Sequence, residues 1–211
     1  MLRQLKTIKA QSSAEVVGPE DHGRIMTLAE YRAARGAPGY KYELIDGALV
    51  VSPNPIPNHD YWIQYVRNAI AAYARRHLGK VAHISEAAEV EVVGRTAPTR
   101  PIPDLSVYDA FPYPPPPSWD DVVPVLVVEV ISNRRAAKDT VRNRHLYWQV
   151  RGLREYGIIN PENAPLAPTL IALRRKRGAR TWDERVVPFG RSYRSGALPG
   201  LSINLKQKTK E

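Results

Sequence analysis

The segment from Val122 to Ile131 constrains the fold most strongly, because it is almost entirely apolar and rich in β-branched residues. Such a run is typical of a strand buried on both faces, at the centre of a sheet covered by helices. Glu129 stands inside this run, where an unpaired ionised carboxylate would cost several kcal/mol. Either this end of the strand is exposed, or a cation, a partner or a proton holds the carboxylate. The polar residues that follow place Glu129 near the C-terminal end of its strand, where open α/β sheets bind ligands.

The patterns on either side of this run alternate between helical and extended. Helical periodicity and capping residues predict helices at 27–36, 58–79 and 138–150. Strand patterns predict further strands at 40–45, 48–51, 81–84, 88–93, 103–108, 155–159, 169–175 and 181–188. This succession predicts an α/β fold with a mixed sheet flanked by helices. We expect a flexible basic leader at 1–24, a single domain at 25–205 and a basic tail at 206–211.

Composition limits the class of protein and the kind of site. With 211 residues, of which 43% are hydrophobic, the chain is long enough to bury the core of one domain. It has no cysteine, which excludes disulfides, thiolate zinc sites and cysteine nucleophiles. The net charge of +10 favours polyanionic partners such as DNA or RNA, with an inert basic surface as the alternative. Because neither a membrane-spanning apolar run nor a signal peptide stands out, we expect a cytoplasmic protein without membrane contacts.

Two further acidic residues belong to predicted strands. Asp104 follows Pro103 in what is also an ordinary turn dipeptide, but the alternation of Leu105 and Val107 behind it makes Asp104 the first residue of a strand. Glu43 lies within a predicted hairpin strand, where a solvated edge position is the alternative interpretation. Neither carboxylate identifies a function on its own.

Several short motifs occur in an order that is typical of one family. They are Met26-Thr27-Leu28-Ala29-Glu30-Tyr31, Tyr42-Glu43-Leu44-Ile45-Asp46-Gly47, Val51-Ser52-Pro53 followed by His59, Pro103-Asp104-Leu105-Ser106-Val107, Val128-Glu129-Val130-Ile131-Ser132, Tyr147, Glu155-Tyr156 and Leu198-Pro199-Gly200-Leu201. No single motif is specific. Their order and contexts, from about Met26 to Leu205, together resemble the PD-(D/E)XK nuclease superfamily and, within it, the Uma-type family of restriction endonucleases. The resemblance implies a restriction-endonuclease-like fold.

The resemblance also implies the chemistry of the site. Glu43, Asp104 and Glu129 match the acidic residues with which the family surrounds a magnesium or manganese ion. Hard divalent ions prefer oxygen ligands, and such an ion activates water and neutralises the charge that builds up on a phosphodiester. His59 and Tyr147 match the family's histidine and tyrosine, so both are accessory candidates. For His59, capping or packing is the alternative.

The chain departs from the family where a lysine is expected. Restriction-type nucleases of this fold place a lysine two residues after the second acid of the sheet, and that position is Ile131 here. The Uma-type pattern has the lysine on the following helix, at the position of Asn143. Helical spacing turns Asn143 toward the sheet. Lys138, Arg142 and Arg144 are the alternative sources of positive charge, but helical spacing turns Arg142 and Arg144 away from the sheet. We therefore expect the natural protein to be slow or inactive, and Asn143→Lys to raise cleavage by at least roughly tenfold.

A basic cluster near the tip of the last predicted hairpin is predicted to contact nucleic-acid phosphates, with a solvated turn as the alternative. Its members are Arg174, Arg175, Lys176 and Arg177. The first interpretation of the whole chain is a Mg²⁺- or Mn²⁺-dependent DNA endonuclease. The second is a catalytically weak or inactive nucleic-acid-binding or regulatory protein that keeps the nuclease fold, and a glycosidase with paired carboxylates is a distant third. A homodimer is compatible with the first interpretation, because restriction-type enzymes often cut two strands with two subunits.

Overall fold

The computed structural model describes residues 14–131, 138–161 and 164–206. Val16–Val17 form strand β1, which pairs in parallel with β2, Arg35–Gly36. Within the predicted leader, β1 is therefore paired, and Val17 is buried in a small apolar cluster. Residues 1–13 of the predicted leader, and residues 207–211 of the predicted tail, lie outside the described part.

The first predicted helix forms at the capping signal. Helix α1, Leu28–Ala33, begins after Thr27, whose hydroxyl accepts a hydrogen bond from the Glu30 N–H at 3.2 Å. The Glu30 carboxylate accepts one in return from the Thr27 N–H at 2.7 Å. This reciprocal pair is the capping box that the sequence indicated.

The hairpin that follows also forms as predicted. Strands β3 (Tyr40–Ile45) and β4 (Ala48–Pro53) are antiparallel, and Asp46 and Gly47 connect them. Both connecting residues have positive φ, 52° and 77°, which is the conformation of the type I′ turn that an Asp-Gly pair favours. The register of the hairpin therefore follows from its turn, and with it the direction of every side chain of β3.

Helix α2, Pro57–Arg76, follows the hairpin and begins one residue before the Asn58 cap that we predicted, because Pro57 occupies the first turn. The main sheet comes next and has six strands. They are β5 (His83–Ser85), β6 (Leu105–Tyr108), β7 (Leu126–Val130), β8 (Glu155–Asn160), β9 (Thr169–Arg174) and β10 (Asp183–Val187). Their order is β10-β9-β8-β7-β6-β5, with β7 and β8 parallel and the other pairs antiparallel. The apolar run around β7 thus lies in the interior of the sheet, as predicted.

The strand predicted at 88–93 is absent from the described structure, and this prediction was wrong. Val90 and Val92 are buried, as their alternation indicated. Their N–H groups donate to the carbonyl groups of Pro101 and Thr99 at 2.8 and 3.1 Å. The opposing segment 98–103 contains three prolines, which have no N–H to donate, so a regular ladder of hydrogen bonds cannot form.

Helices cover both faces of the main sheet, so the predicted fold class, a mixed sheet flanked by helices as in restriction-endonuclease-like proteins, is confirmed. Helix α2 packs on the face that carries Leu126, Val128 and Val130. Helix α3, Asn143–Gln149, packs on the opposite face, to which Val127 and Glu129 point. A π-helical turn, Lys138–Arg142, leads directly into α3. No helix among the described residues combines the length and apolar character needed to cross a membrane.

A second hairpin, which the sequence analysis did not predict, completes the cover of the α2 face. Its strands are β11 (Ser192–Arg194) and β12 (Ser202–Asn204). Only one residue of each short strand, Tyr193 and Ile203, is buried, and both join the core cluster of α2. A single apolar residue per strand gives too little alternation to be recognised in a sequence.

Candidate active site

Asp104 and Glu129 lie side by side at one end of the main sheet. Because Leu105 of β6 is opposite Val128 of β7, the residue before Leu105 lies next to the residue after Val128. Two hydrogen bonds fix this pair. The Val130 N–H donates to Oδ2 of Asp104 at 2.9 Å, and the Asp104 N–H donates to Oε2 of Glu129 at 3.3 Å. Strand pairing therefore sets the position of both carboxylates.

The carboxylate of Glu129 is held from the other side by α3. Its Oε1 accepts a hydrogen bond from Nδ2 of Asn143 and another from the hydroxyl of Tyr147, each at 2.9 Å. Burial, together with the nearby charge of Glu129, raises the pKa of Tyr147 well above its usual value, so this hydroxyl keeps its proton and remains a donor. Glu129 is thus buried in the strand as the sequence indicated, and polar partners hold it there.

Asp104 is held by two basic side chains. Nζ of Lys41 lies 3.1 Å from its Oδ1, and Nε2 of His59 lies 3.0 Å from its Oδ2. Burial alone would raise the pKa of Asp104, but the opposing influence of Lys41 and His59 is stronger and holds that pKa well below its usual value. His59, an accessory candidate from the sequence, therefore contacts one of the predicted acids directly.

Acid is expected to destabilise the protein through Asp104. The pKa of Asp104 is lower in the folded protein than in the unfolded chain, so at pH values between these two pKa values the unfolded chain binds more protons. The stability that ionised Asp104 contributes is therefore lost as the pH falls below about 4. We expect the free energy of unfolding to drop by about 2 to 3 kcal/mol from this group between about pH 5 and about pH 2. Urea unfolding across this range should show a smaller drop in Asp104→Asn. Asp109→Asn, which removes an exposed aspartate, should retain the full drop. An undiminished drop in Asp104→Asn would contradict the assignment.

Glu43, which belongs to β3, is completely buried. Its Oε1 accepts a hydrogen bond from the Ile102 N–H at 2.9 Å, and its Oε2 lies 2.9 Å from Nζ of Lys138. Burial alone would raise the pKa of Glu43, but the charges of Lys138 and Lys41 outweigh this effect and lower it. The solvated edge position that was the alternative for Glu43 is therefore excluded.

Lys41, which the sequence did not single out, lies against Asp104. Burial alone would lower the pKa of Lys41, but the carboxylates of Asp104, Glu129 and Glu43 outweigh burial and raise it, so the side chain stays charged. The signal was available, because Lys41 and Glu43 are two residues apart in β3 and side chains at that spacing share a face of the strand.

The direction predicted for Arg142 was wrong. Its Nη2 lies 3.7 Å from Oε2 of Glu43, and its Nε donates to Oδ1 of Asn143 at 3.1 Å. We had assumed α-helical spacing, whereas Arg142 belongs to a π-helical turn, whose wider hydrogen-bonded ring changes the direction of successive side chains. Asn143 does point inward and is fully buried, and Arg144 does point outward, where it pairs with Glu184 at 2.6 Å.

The three carboxylates suit a divalent ion by ligand type, because oxygen is the ligand that Mg²⁺ and Mn²⁺ prefer. Their arrangement is different from that of a formed metal site. Within residues 14–131, 138–161 and 164–206, no three acidic, histidine or cysteine side chains are grouped so as to hold an ion. Ammonium groups lie instead against Asp104 and Glu43, contributed by Lys41 and Lys138. An ion bound to these carboxylates would have to displace them.

The predicted basic cluster lies at the opposite end of the sheet from the acids. Arg174 of β9 is opposite Glu155 of β8 in the sheet. Glu129 of β7 is opposite Ile158 of β8, which is three residues further along that strand. Three residues of a strand correspond to about 10 Å. Within the cluster, the exposed Lys176 pairs with Asp183 at 2.7 Å. The cluster therefore does not line the acidic site, and its contact with nucleic acid stays a prediction.

Arg175, a member of that cluster, has an internal structural role. Its guanidinium group stacks over the ring of Trp148, 4.1 Å from the ring centroid, and donates to the carbonyl oxygens of Trp148 and Leu153 at 2.5 and 2.9 Å. It therefore caps the C-terminal end of α3, where carbonyl groups lack helical partners. The basic surface that remains for phosphates at this hairpin is correspondingly smaller than we predicted.

Arg175→Ala is expected to lower the free energy of unfolding by about 2 to 4 kcal/mol, because it removes charged hydrogen bonds and a cation–π contact together. Arg177→Ala, which changes an exposed neighbour, should stay within about 0.5 kcal/mol of the natural protein. Urea unfolding of both variants measures the difference. Equal stability of the two variants would contradict the capping role.

The family to which the chain belongs is consistent with this geometry. The model of the Uma2 family, described as "Putative restriction endonuclease", matches residues 28–206 of the 211-residue chain. No curated protein matches the chain significantly. The match extends from α1 to the end of the described residues and includes all three acids. On this match, the chain belongs to the Uma2 family of restriction-endonuclease-like proteins.

Proposed function

We propose that this protein is a divalent-metal-dependent endonuclease that hydrolyses phosphodiester bonds in DNA. The observation that carries the proposal is a set of three buried carboxylates. Asp104 and Glu129 are joined by hydrogen bonds at one end of the sheet, and lysines lie against Asp104 and Glu43. Buried acids are unfavourable unless cations hold them, and such clusters are concentrated at sites that bind or transform a ligand. The description of the family supports DNA as the substrate.

In this proposal Glu43, Asp104 and Glu129 would hold Mg²⁺ or Mn²⁺. Such an ion would supply an activated water molecule and would neutralise the charge that develops on the phosphodiester. Glu129 is oriented in advance, because Asn143 and Tyr147 both donate to its Oε1. Such preorganisation lowers the cost of arranging ligands during the reaction.

The basic side chains around the acids have a second task in this proposal, which is to attract and position the substrate. Lys138 and Arg142 place positive charge beside Glu43, at 2.9 and 3.7 Å from its Oε2. Positive charge at this place would offset the repulsion between a DNA phosphate and the carboxylates. His59 holds the second oxygen of Asp104 and so orients that carboxylate.

Cleavage of supercoiled plasmid and of circular single-stranded DNA tests the proposal. Purified protein is incubated with each DNA in Mg²⁺, in Mn²⁺ and in EDTA. We expect nicked or linear products in one of the metals and none in EDTA. Unchanged DNA in both metals, or equal cleavage in EDTA, would contradict the proposal.

A second candidate function is nucleic-acid binding without turnover. Asn143 favours it, because a neutral amide stands where the family pattern has a lysine. An electrophoretic mobility shift assay in the same buffers separates the two candidates. Retarded DNA that stays intact in Mg²⁺ and Mn²⁺ would support the second candidate over the first.

A further inference from the structure

Lys41 is a largely buried cation for which the family pattern gives no role. Its side chain is 20% exposed, and its Nζ lies 3.1 Å from Oδ1 of Asp104. Ile131 and Asn143 occupy the two positions where a lysine was expected. Lysines from other positions reach the acids instead, because Lys41 lies against Asp104 and Lys138 lies against Glu43.

We propose that Lys41, supplied by β3, is the lysine of this active site and contacts the phosphate that is cleaved. This inference rests on the proposed function. Without a divalent ion, the ammonium group of Lys41 neutralises Asp104. If a divalent ion were bound to that carboxylate, the ammonium group of Lys41 would be free to contact the phosphate.

The geometry of β3 makes this exchange feasible. Lys41 and Glu43 share the face of the strand that is turned to the acids, so the lysine backbone is fixed by the same hairpin that positions one acid. The side chain of lysine is a compact charge on a flexible four-carbon stem, so it can change partners without movement of the strand. The Val130 N–H donates to Oδ2 of Asp104, whereas Lys41 lies against Oδ1, so departure of the lysine does not require that hydrogen bond to break.

Lys41 is therefore expected to have opposite effects on metal binding and on cleavage. As a competitor for Asp104 it weakens metal binding, and as a cation at the phosphate it accelerates the reaction. Lys41→Met should bind Mn²⁺ about tenfold more tightly and cleave DNA about 100-fold more slowly. A variant that was merely damaged would lose both metal affinity and cleavage.

Chemical rescue tests the role in cleavage. The chain has no cysteine, so Lys41→Cys introduces the sole thiol, and alkylation with 2-bromoethylamine converts it to a close analogue of lysine. We expect Lys41→Cys to cleave about 100-fold more slowly than the natural protein, and the alkylated variant to return to within about tenfold of it. Lys80→Cys, which changes an exposed lysine beyond α2, should cleave at the natural rate before and after the same treatment. Complete alkylation of Lys41→Cys without recovery would overturn the inference.

Calorimetric titration with Mn²⁺ tests the competition and does not depend on turnover. Tighter binding to Lys41→Met than to the natural protein supports the inference. If the natural protein binds Mn²⁺ and Lys41→Met binds it equally or more weakly, the inference about Lys41 is overturned while the proposed function stands. If the natural protein binds no Mn²⁺, the proposed function fails as well. Thermal unfolding of both proteins without metal shows whether the variant is folded.

Discussion

Glu129→Gln is expected to reduce metal-dependent cleavage of plasmid DNA by about 1000-fold. The substitution keeps the shape of the side chain but removes the negative charge with which Glu129 would hold the ion. The amide also presents a donor to a pocket in which Asn143, Tyr147 and the Asp104 N–H are all donors. We therefore expect weaker Mn²⁺ binding together with a loss of stability of about 1 to 3 kcal/mol.

Glu155→Gln provides the matched control for this loss. Glu155 is also a buried glutamate of the main sheet. It is the first residue of β8, at the end of the sheet away from Glu129, and its carboxylate accepts hydrogen bonds from the N–H groups of Gly196 and Ala197. Its substitution should cost comparable stability and leave cleavage within about tenfold of the natural rate. Equal loss of cleavage in Glu129→Gln and Glu155→Gln would indicate a general effect of destabilisation and would count against the site.

Asn143→Lys is expected to restore cleavage to a protein that lacks Lys41. The sequence alone predicted a gain of at least roughly tenfold in the natural protein. The structure changes this expectation, because the ammonium group of Lys41 already lies among the acids. We expect the Lys41→Met/Asn143→Lys variant to cleave at least about tenfold faster than Lys41→Met, which corresponds to about 1.4 kcal/mol of barrier. The gain in the natural background should be smaller.

Single-turnover cleavage of labelled DNA in Mn²⁺ measures these rates, with Glu129→Gln as the blank. Asn143→Met in the Lys41→Met background controls for the size of the new side chain at this fully buried position. If Lys41→Met/Asn143→Lys folds and cleaves no faster than Lys41→Met, then position 143 does not correspond to the lysine of the family pattern.

The elements that the sequence predicted correctly are those whose signals are local. The Asp46-Gly47 turn specifies its own hairpin, and the capping box at Thr27 specifies the start of α1. The continuous apolar run of β7 requires cover on both faces, which the two helices provide. In each case a few adjacent residues determine the backbone, so no knowledge of distant contacts was needed.

The site required information that is not local. That Asp104 lies next to Glu129 follows from the pairing of β6 with β7, and the sequence supported this only through the family resemblance. The approach of Arg142 to Glu43 depends on a π-helical turn, which no residue pattern specified. Arg175 looked like a surface charge because its neighbours are basic, whereas its partners, Trp148 and the end of α3, are distant in the sequence.

The position of manganese in crystals soaked at the concentration that supports cleavage tests the proposed metal site and the role of Lys41 most directly. An anomalous difference map locates the ion without reference to activity. We predict a peak in contact with the carboxylates of Asp104 and Glu129, with Nζ of Lys41 moved away from Oδ1 of Asp104. Lys41 still seated on Asp104, with no manganese at either carboxylate, would contradict the account.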